Sequence, residues 1–276
     1  GSFFKNPILL LAMEKAKREG TTLHIAGLVS DGGVHSHVEH LDALLELAGS
    51  CFVPRIALHC FLDGRDVPYQ SARNFLEDVE RRIEQFRVPA RIATLSGRYF
   101  AMDRVNRWDR IAAAYSAMVG GVSHKEFDRA SLAVDFYYEQ QIYDEQIPPT
   151  VIRPRLTVKD NDVLIFFNFR PDRMRQIVSS FVLPDFNKFD RGTFLKNLST
   201  ITMTKYDTAL PVAVAFSEEI ITMPLAKVVS DAGLHQLHIA ETEKYAHVTY
   251  FFNGGREEAF PNETRILIPS PQVGSY

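Results

Sequence analysis

Between Thr22 and Tyr115 the chain spells one pattern three times: an apolar run, a polar loop, and a helix with one apolar face. LHIAGLV leads through SDGGVHS to a helix carrying Val38, Leu41, Leu44, Leu45 and Ala48. RIALHCFL leads through DGRDVP to a helix carrying Phe75, Leu76, Val79, Ile83 and Phe86, and RIATLSG leads to one carrying Val105, Trp108, Ile111 and Tyr115. Strands alternating with amphipathic helices specify the α/β class, a mainly parallel sheet flanked by helices, in which ligands gather beyond the strands' carboxyl ends. A fourth run, DVLIFFNF, is apolar almost throughout, as a strand buried on both faces must be, and passes directly into RPDRMRQI at a helix start. The four polar loops are expected on one rim.

The remaining segments are organised around this repeat. Asn6 followed by Pro7 reads as a helix start, because Asn caps free amides and Pro suits the first turn, and Gly20 offers a stop. Residues 122–161 contain Pro148, Pro149 and Pro154 and read as an irregular excursion. After Tyr206 the composition changes: LPVAVAF reads as a linker or strand, followed by a helix near Pro224 to Ala232 and a strand HQLHIAE. A boundary near residue 216 is expected, giving domains 1–216 and 217–276, the second too short to close a core of its own.

Composition narrows the function classes. A hydrophobic share of 46% with 24% charged residues specifies a globular chain rather than a disordered one, and 276 residues suffice for two domains. A net charge of -3 argues against bulk attraction to nucleic acid or an anionic membrane but leaves room for a local cationic pocket. Cys51 and Cys60 are the only cysteines, so a disulfide framework is not indicated and a reducing, cytoplasmic compartment is expected. The apolar run Ile8 to Met13 is too short for a membrane span.

The strongest chemical signal is arginine where strands end: Arg65 in DGRD, Arg98 in SGRY, Arg104 in MDR, and Arg170 with Arg173 in NFRPDR. Guanidinium forks match phosphate and carboxylate, so their convergence implies a small anionic ligand such as a phosphorylated acid. The competing account pairs them with Asp63, Asp66, Asp103 and Asp172. Asp66, beside Arg65, either caps its turn or accepts a hydrogen bond from a substrate hydroxyl.

HSHVEH places His35, His37 and His40 before a helix and resembles the HxHxDH pattern of metallo-β-lactamase-type hydrolases, with Glu39 where those have Asp. A zinc hydrolase is therefore a second possibility, and a non-catalytic phosphometabolite-binding module a third. Without a metal, His35 is expected at the loop tip, touching an anion, and His37 and His40 on the helix's first turns. His24 and His59 fall inside apolar strands and read as satisfied core residues. No GxxxxGK[ST], GxGxxG or GxSxG occurs, so NTP hydrolysis, nicotinamide chemistry and esterase chemistry lose their usual signatures.

Read together, SDGGVHSH, FLDGRD, SGRYFAMDR, RWDR, NFRPDR and AETEKYAHVTYFFNGG resemble the cofactor-independent phosphoglycerate mutases, in order and in spacing, over essentially the whole chain. The resemblance implies two α/β domains: a phosphotransferase domain inserted in one related to alkaline phosphatase, with the active site between them. It would make this chain the phosphotransferase (substrate-binding) insert domain followed by an incomplete alkaline-phosphatase-like segment. Interconversion of 3-phosphoglycerate and 2-phosphoglycerate through a phosphoserine is then implied, with two divalent ions, usually manganese.

Matched position by position, the family's substrate-binding groups fall on His35, Arg65, Asp66, Arg98, Arg104, Arg170 and Arg173, with Lys244 from the phosphatase side. Asp66 is the expected partner of the glycerate hydroxyls. The serine nucleophile and the metal ligands of the family have no counterpart here, so the chain alone is expected to be inactive. Two lesser departures are His238, where the family has arginine, and Gln272, where it has lysine. A monomer is the family expectation.

Overall fold

The computed structural model describes residues 1–217 and 221–270, so Gln272 lies outside the described residues. The chain forms two compact units, 1–217 and 218–276.

The first unit opens with α1 (Pro7–Glu19). Asn6 Oδ1 accepts from the amides of Ile8 and Leu9, Pro7 takes the first position, and Gly20 closes the helix at φ 64°. The repeat then follows as β1 (Leu23–Val29), α2 (Val38–Ser50), β2 (Ile56–Leu62), α3 (Ala72–Phe86) and β3 (Ala90–Gly97), followed by the short α4 (Arg98–Ala101) and α5 (Trp108–Gly120). Next come β4 (Glu126–Phe127), α6 (Ala130–Glu139), β5 (Thr150–Ile152), β6 (Val163–Phe166), α7 (Arg175–Val182), β7 (Ser199–Thr202) and β8 (Ala213–Val214).

These strands make one eight-stranded sheet in the order β4-β5-β3-β2-β1-β6-β7-β8. β3, β2, β1, β6, β7 and β8 run parallel, and β5 is antiparallel to β3. Side chains alternate between two cores, as strand pleating requires. Leu23, Ile25 and Val29 face α1, α2 and α3, whereas Ala26, Leu28, Leu164 and Phe166 face α5 and α7. With helices on both faces, the exposed polar groups of this unit gather at the strand ends, while His24, His59 and Thr94 stay buried within β1, β2 and β3.

Two expectations are corrected. Residues 122–161 are not a mere excursion: β4, α6 and β5 extend the sheet, and Ala133 and Val134 join its core. Val105 is exposed and not on a helix, because Asp103 Oδ1 takes the amides of Val105 and Arg107 in a turn that delays α5 to Trp108.

The second unit contains α8 (Leu225–Asp231), β9 (Gln236–Glu241), α9 (Thr242–Ala246), a π-helical turn (His247–Phe251) and β10 (Glu263–Ile268). β9 and β10 pair in parallel, and Leu237, Ile239 and Leu267 on them are exposed. His238 is buried, with Nδ1 3.3 Å from Glu263, which also accepts from Asn253, Arg265 and the amide of Phe260.

Candidate functional site

The chain leaves β1 to build β2 and β3 on one side and crosses to β6 on the other, so the sheet reverses its order between β1 and β6. The crevice outside the carboxyl ends at such a switch point is where open α/β sheets bind ligands. The loops after β1, β2, β3 and β6 end there, and they carry every candidate side chain of the first unit. Asn168 ties two of them together: its buried Oδ1 accepts from the amide of Leu28 at 2.9 Å. Close packing fixes Gly97 at the end of β3, since a Cβ there would lie 2.2 Å from the Glu145 carbonyl oxygen.

On the β2–β3 side the organising group is Asp63. Its buried carboxylate accepts from Ser30 Oγ at 2.6 Å, the amides of Arg65 and Asp66 at 3.2 and 3.0 Å, and Arg98 Nη1 at 2.6 Å. Burial opposes its charge, but these donors outweigh burial and hold the carboxyl below its ordinary range. Arg98 is itself buried, and the same Nη1 donates to Asp66 Oδ2 at 2.6 Å. Three strand ends are thus pinned by one salt-bridged cluster. Arg65 is exposed, 3.5 Å from Glu145.

On the β6 side Asp172 lies between Arg104 and Arg170, at 2.8 and 3.0 Å, with His35 Nδ1 at 3.7 Å. Arg173 differs from all the others. Its Nη1 donates to the Met102 carbonyl at 3.2 Å, and among the described residues no carboxylate lies within ion-pair distance of it. Burial, followed by the charges of Arg98 and Arg104, pushes its pKa down to about 10, so this cation is electrostatically under-compensated where it sits. His35 is pushed down to about 4, first by burial and then by Arg98, with Arg170 adding to the effect and Asp172 opposing it. It is therefore neutral at pH 7, and its buried Nδ1 has no hydrogen-bond partner among the described residues.

The first unit brings together His35, Arg65, Asp66, Arg98, Arg104, Arg170 and Arg173; mutual fields on His35 and Arg173 link them all. Lys244 belongs to the second unit, exposed on α9. His35 is not at the loop tip, which is formed by the exposed residues Asp31 to Val34. It is drawn inward because its carbonyl accepts from the amides of Phe169 and Arg170 and because Ser36 Oγ donates to the Leu28 carbonyl. Of the carboxylates the sequence offers as partners, Asp63, Asp66 and Asp172 do pair with the rim arginines, and Glu145 is the partner that sequence spacing does not suggest.

The histidines of HSHVEH diverge. His37 Nδ1 accepts from the Glu39 amide as the cap of α2, and the His40 ring stacks on Phe3. Among the described residues no group of three His, Cys, Asp or Glu could hold a metal ion. Among the described residues, neither a zinc site nor the expected manganese pair has a fitting ligand set.

His24 and His59 are satisfied in the core. Asp162 is acceptor only when ionised, which fixes the rest of the chain: His24 Nε2 donates to it at 3.1 Å, His59 Nε2 donates to His24 Nδ1 at 2.9 Å, and Thr94 Oγ1 donates to His59 Nδ1 at 2.9 Å. One tautomer set satisfies every ring nitrogen with both imidazoles neutral.

A family model described as the BPG-independent PGAM N-terminus matches residues 1–208. The 2,3-bisphosphoglycerate-independent phosphoglycerate mutase of Moorella thermoacetica is 50% identical over 280 residues, which cover 100% of this chain and 54% of that protein. The protein of the same name from Chloroflexus aurantiacus is 48% identical over 301 residues, covering 100% of this chain and 55% of its own length. A crystal structure of Leishmania mexicana phosphoglycerate mutase at low cobalt concentration superposes with a TM-score of 0.80 at 31% identity, over 99% of this chain and 52% of that one. The chain spans about half the length of the curated relatives it matches. With three quarters of its length inside the family model, the chain belongs to the BPG-independent phosphoglycerate mutase family, in its amino-terminal part.

Proposed function

We propose that this chain is the substrate-orienting part of a phosphoglycerate mutase, an isomerase that in its full length interconverts 3-phosphoglycerate and 2-phosphoglycerate through a phosphoserine. The observation that carries the proposal is Arg173, a half-buried guanidinium without a carboxylate partner among the described residues, beside four further arginines on one rim. Phosphoglycerate carries a phosphate and a carboxylate on a three-carbon frame. Guanidinium forks hold both by paired hydrogen bonds and fix the orientation of the carbon between them.

In this reading Arg173 takes one anionic group, and Arg104 and Arg170 the other. Asp66, held through Oδ2 by Arg98, turns its remaining oxygen to the glycerate hydroxyls, and neutral His35 offers a hydrogen bond without adding charge. Lys244 would join from the second unit. The chain's work is to hold the glycerate while the phosphoryl group leaves one hydroxyl and returns to its neighbour. The serine nucleophile and the two divalent ions, manganese by expectation, would come from outside this chain, which alone is expected to turn nothing over. A monomeric, cytoplasmic protein completes the proposal; no helix among the described residues is long and apolar enough to cross a membrane.

The test is a calorimetric titration of 3-phosphoglycerate into this chain with chelator present throughout, run beside Arg173→Ala and Arg170→Ala. Binding that survives chelator and is lost in Arg173→Ala supports a metal-free phosphoglycerate site. Binding of equal strength in Arg173→Ala rules the arginine rim out as the site.

A further inference from the structure

We propose that Asp172 is a resident counter-ion of the anion site, a carboxylate that a ligand must displace, and that it selects ligands carrying two anionic groups over those carrying one. The choice of phosphoglycerate as the ligand rests on the function proposed above; the exchange itself does not.

The two carboxylates at the centre of the rim differ in a way that assigns them different jobs. Asp63 is buried and takes four donors from three strand ends, so it cannot leave without unpinning the loops. Asp172 takes no backbone amide among the described residues. Its partners are Arg104, Arg170 and, at 3.7 Å, His35, three groups that the site would present to an anion. Its side chain is 26% exposed, so solvent and solutes reach it. It occupies the position that a ligand's anionic group would take, and it holds Arg104 and Arg170 together against their mutual repulsion. Burial opposes charge on Asp172, but Arg170, Arg104 and His35 hold its carboxyl below the ordinary range, so a ligand at pH 7 competes with a full negative charge.

Selectivity follows from counting partners. Arg173, one residue away, has no carboxylate within ion-pair distance among the described residues and is only partly compensated, by the charge of Asp172. A single anion such as inorganic phosphate can pair with Arg173, but it gains Arg104 and Arg170 only by expelling Asp172, exchanging one anion for another. A ligand with two anionic groups places one on Arg173 and uses the other to replace Asp172, so the loss is offset by an ion pair to Arg173 that no carboxylate among the described residues makes. Discrimination here comes from a built-in competitor rather than from added contacts.

The experiment titrates inorganic phosphate and 3-phosphoglycerate separately into the wild-type chain and into Asp172→Asn, by calorimetry at low salt with chelator present. Two partly exposed ion pairs worth about 0.7 kcal/mol each sum to about 1.4 kcal/mol, or roughly tenfold in affinity. Phosphate is expected to bind Asp172→Asn about tenfold tighter, with a smaller gain for 3-phosphoglycerate, so the preference between them narrows. Unchanged or weaker phosphate binding by a variant that melts like wild type overturns the proposal, because Asp172 would then position the arginines rather than compete for them. If the variant does not fold, the Asp172 carboxylate carbon resonance of the wild type decides: a shift under excess phosphate supports displacement, and an immobile resonance overturns it. A gain for phosphate with no 3-phosphoglycerate binding by either protein would retain the exchange and reject the phosphoglycerate reading.

Discussion

The two sides of the rim use the same side chain in opposite ways. After β3, Arg98 is 2% exposed and shares one nitrogen between Asp63 and Asp66; on the β6 side, Arg173 is half-buried with only a carbonyl for a partner among the described residues, and Arg104 and Arg170 share the carboxylate of Asp172 near solvent. A buried charge whose partners are in place is part of the scaffold, because removing one member strands the others away from water. A cation with unspent donors can hold an anion. Counting arginines at strand ends overstates the binding groups, and counting the carboxylates facing each one corrects the count.

The largest expected effect lies on the scaffold side. Arg98→Ala strands Asp63 and loosens Asp66, and breaking such a buried pair costs about 3–5 kcal/mol. The melting temperature of the first unit should fall by roughly 10 °C, read by calorimetry. A fall no larger than that of Arg104→Ala would mean that burial does not divide the rim as argued.

The scaffold side extends down the sheet into the stripe of Thr94, His59, His24 and Asp162, with Arg55 and Lys159 the further charges acting on it. Burial lowers the pKa of His24, and lowers that of His59 well below its ordinary value, despite Asp162 beside His24. In the unfolded chain both titrate near 6.5, so below that pH the unfolded state binds more protons and stability falls. Their contribution is complete above about pH 6.5 and is lost as pH drops toward the folded values, so the chain is less stable at pH 5 than at pH 7. Chemical denaturation at pH 7 and pH 5 checks this, and His59→Gln should flatten the slope; an equal slope in that variant would place the pH dependence elsewhere.

Across the rim, Arg173→Ala is expected to weaken 3-phosphoglycerate binding by roughly thirtyfold, about 2 kcal/mol, with the melting temperature unchanged or slightly raised. Stability does not suffer because the residue brings a desolvated cation that Asp172 compensates only in part: its pKa is lowered to about 10 by burial and by Arg98 and Arg104. Arg98→Ala and Arg173→Ala thus form a cross, one losing stability and the other losing binding. A clear drop in melting temperature for Arg173→Ala would erase the distinction.

What was legible in the chain follows the same division. The α1 caps, the parallel repeat and the rim could be read because Asn6, Pro7, Gly20 and the apolar periodicity are local signals. β4 and β5 could not, since strands of two and three residues beside Pro148 and Pro149 show no alternation. Val105 was misassigned because the turn that excludes it depends on one side chain, Asp103, whose hydrogen bonds a pattern of apolar residues does not encode. The seven rim residues were named from motif and position, but which of them are spent on carboxylates depends on approach across the fold. Glu145 reaches Arg65 from eighty residues away only because Gly97 admits the Asp144–Glu145 backbone. His35 likewise looks exposed beside two glycines until the amides after β6 pull its carbonyl inward.

The smallest expected effect tests whether the division is graded by partner or by exposure alone. Arg65 has the most exposed side chain of the paired rim arginines, and its carboxylate stands 3.5 Å away across solvent. Such a pair contributes little, so Arg65→Ala should change stability by no more than about 0.5 kcal/mol. Arg65 also adds to the positive field on Arg173, so its removal lowers the attraction for an anion while easing that repulsion. The two effects oppose, and affinity for 3-phosphoglycerate should fall by only about threefold, less than for Arg173→Ala. Calorimetry on both variants at low and at raised salt separates the cases. If Arg65→Ala matched Arg173→Ala, Arg65 would be a direct ligand contact and Glu145 a second displaceable counter-ion. If it had no effect at either salt concentration, the anion site would narrow to the arginines around Asp172.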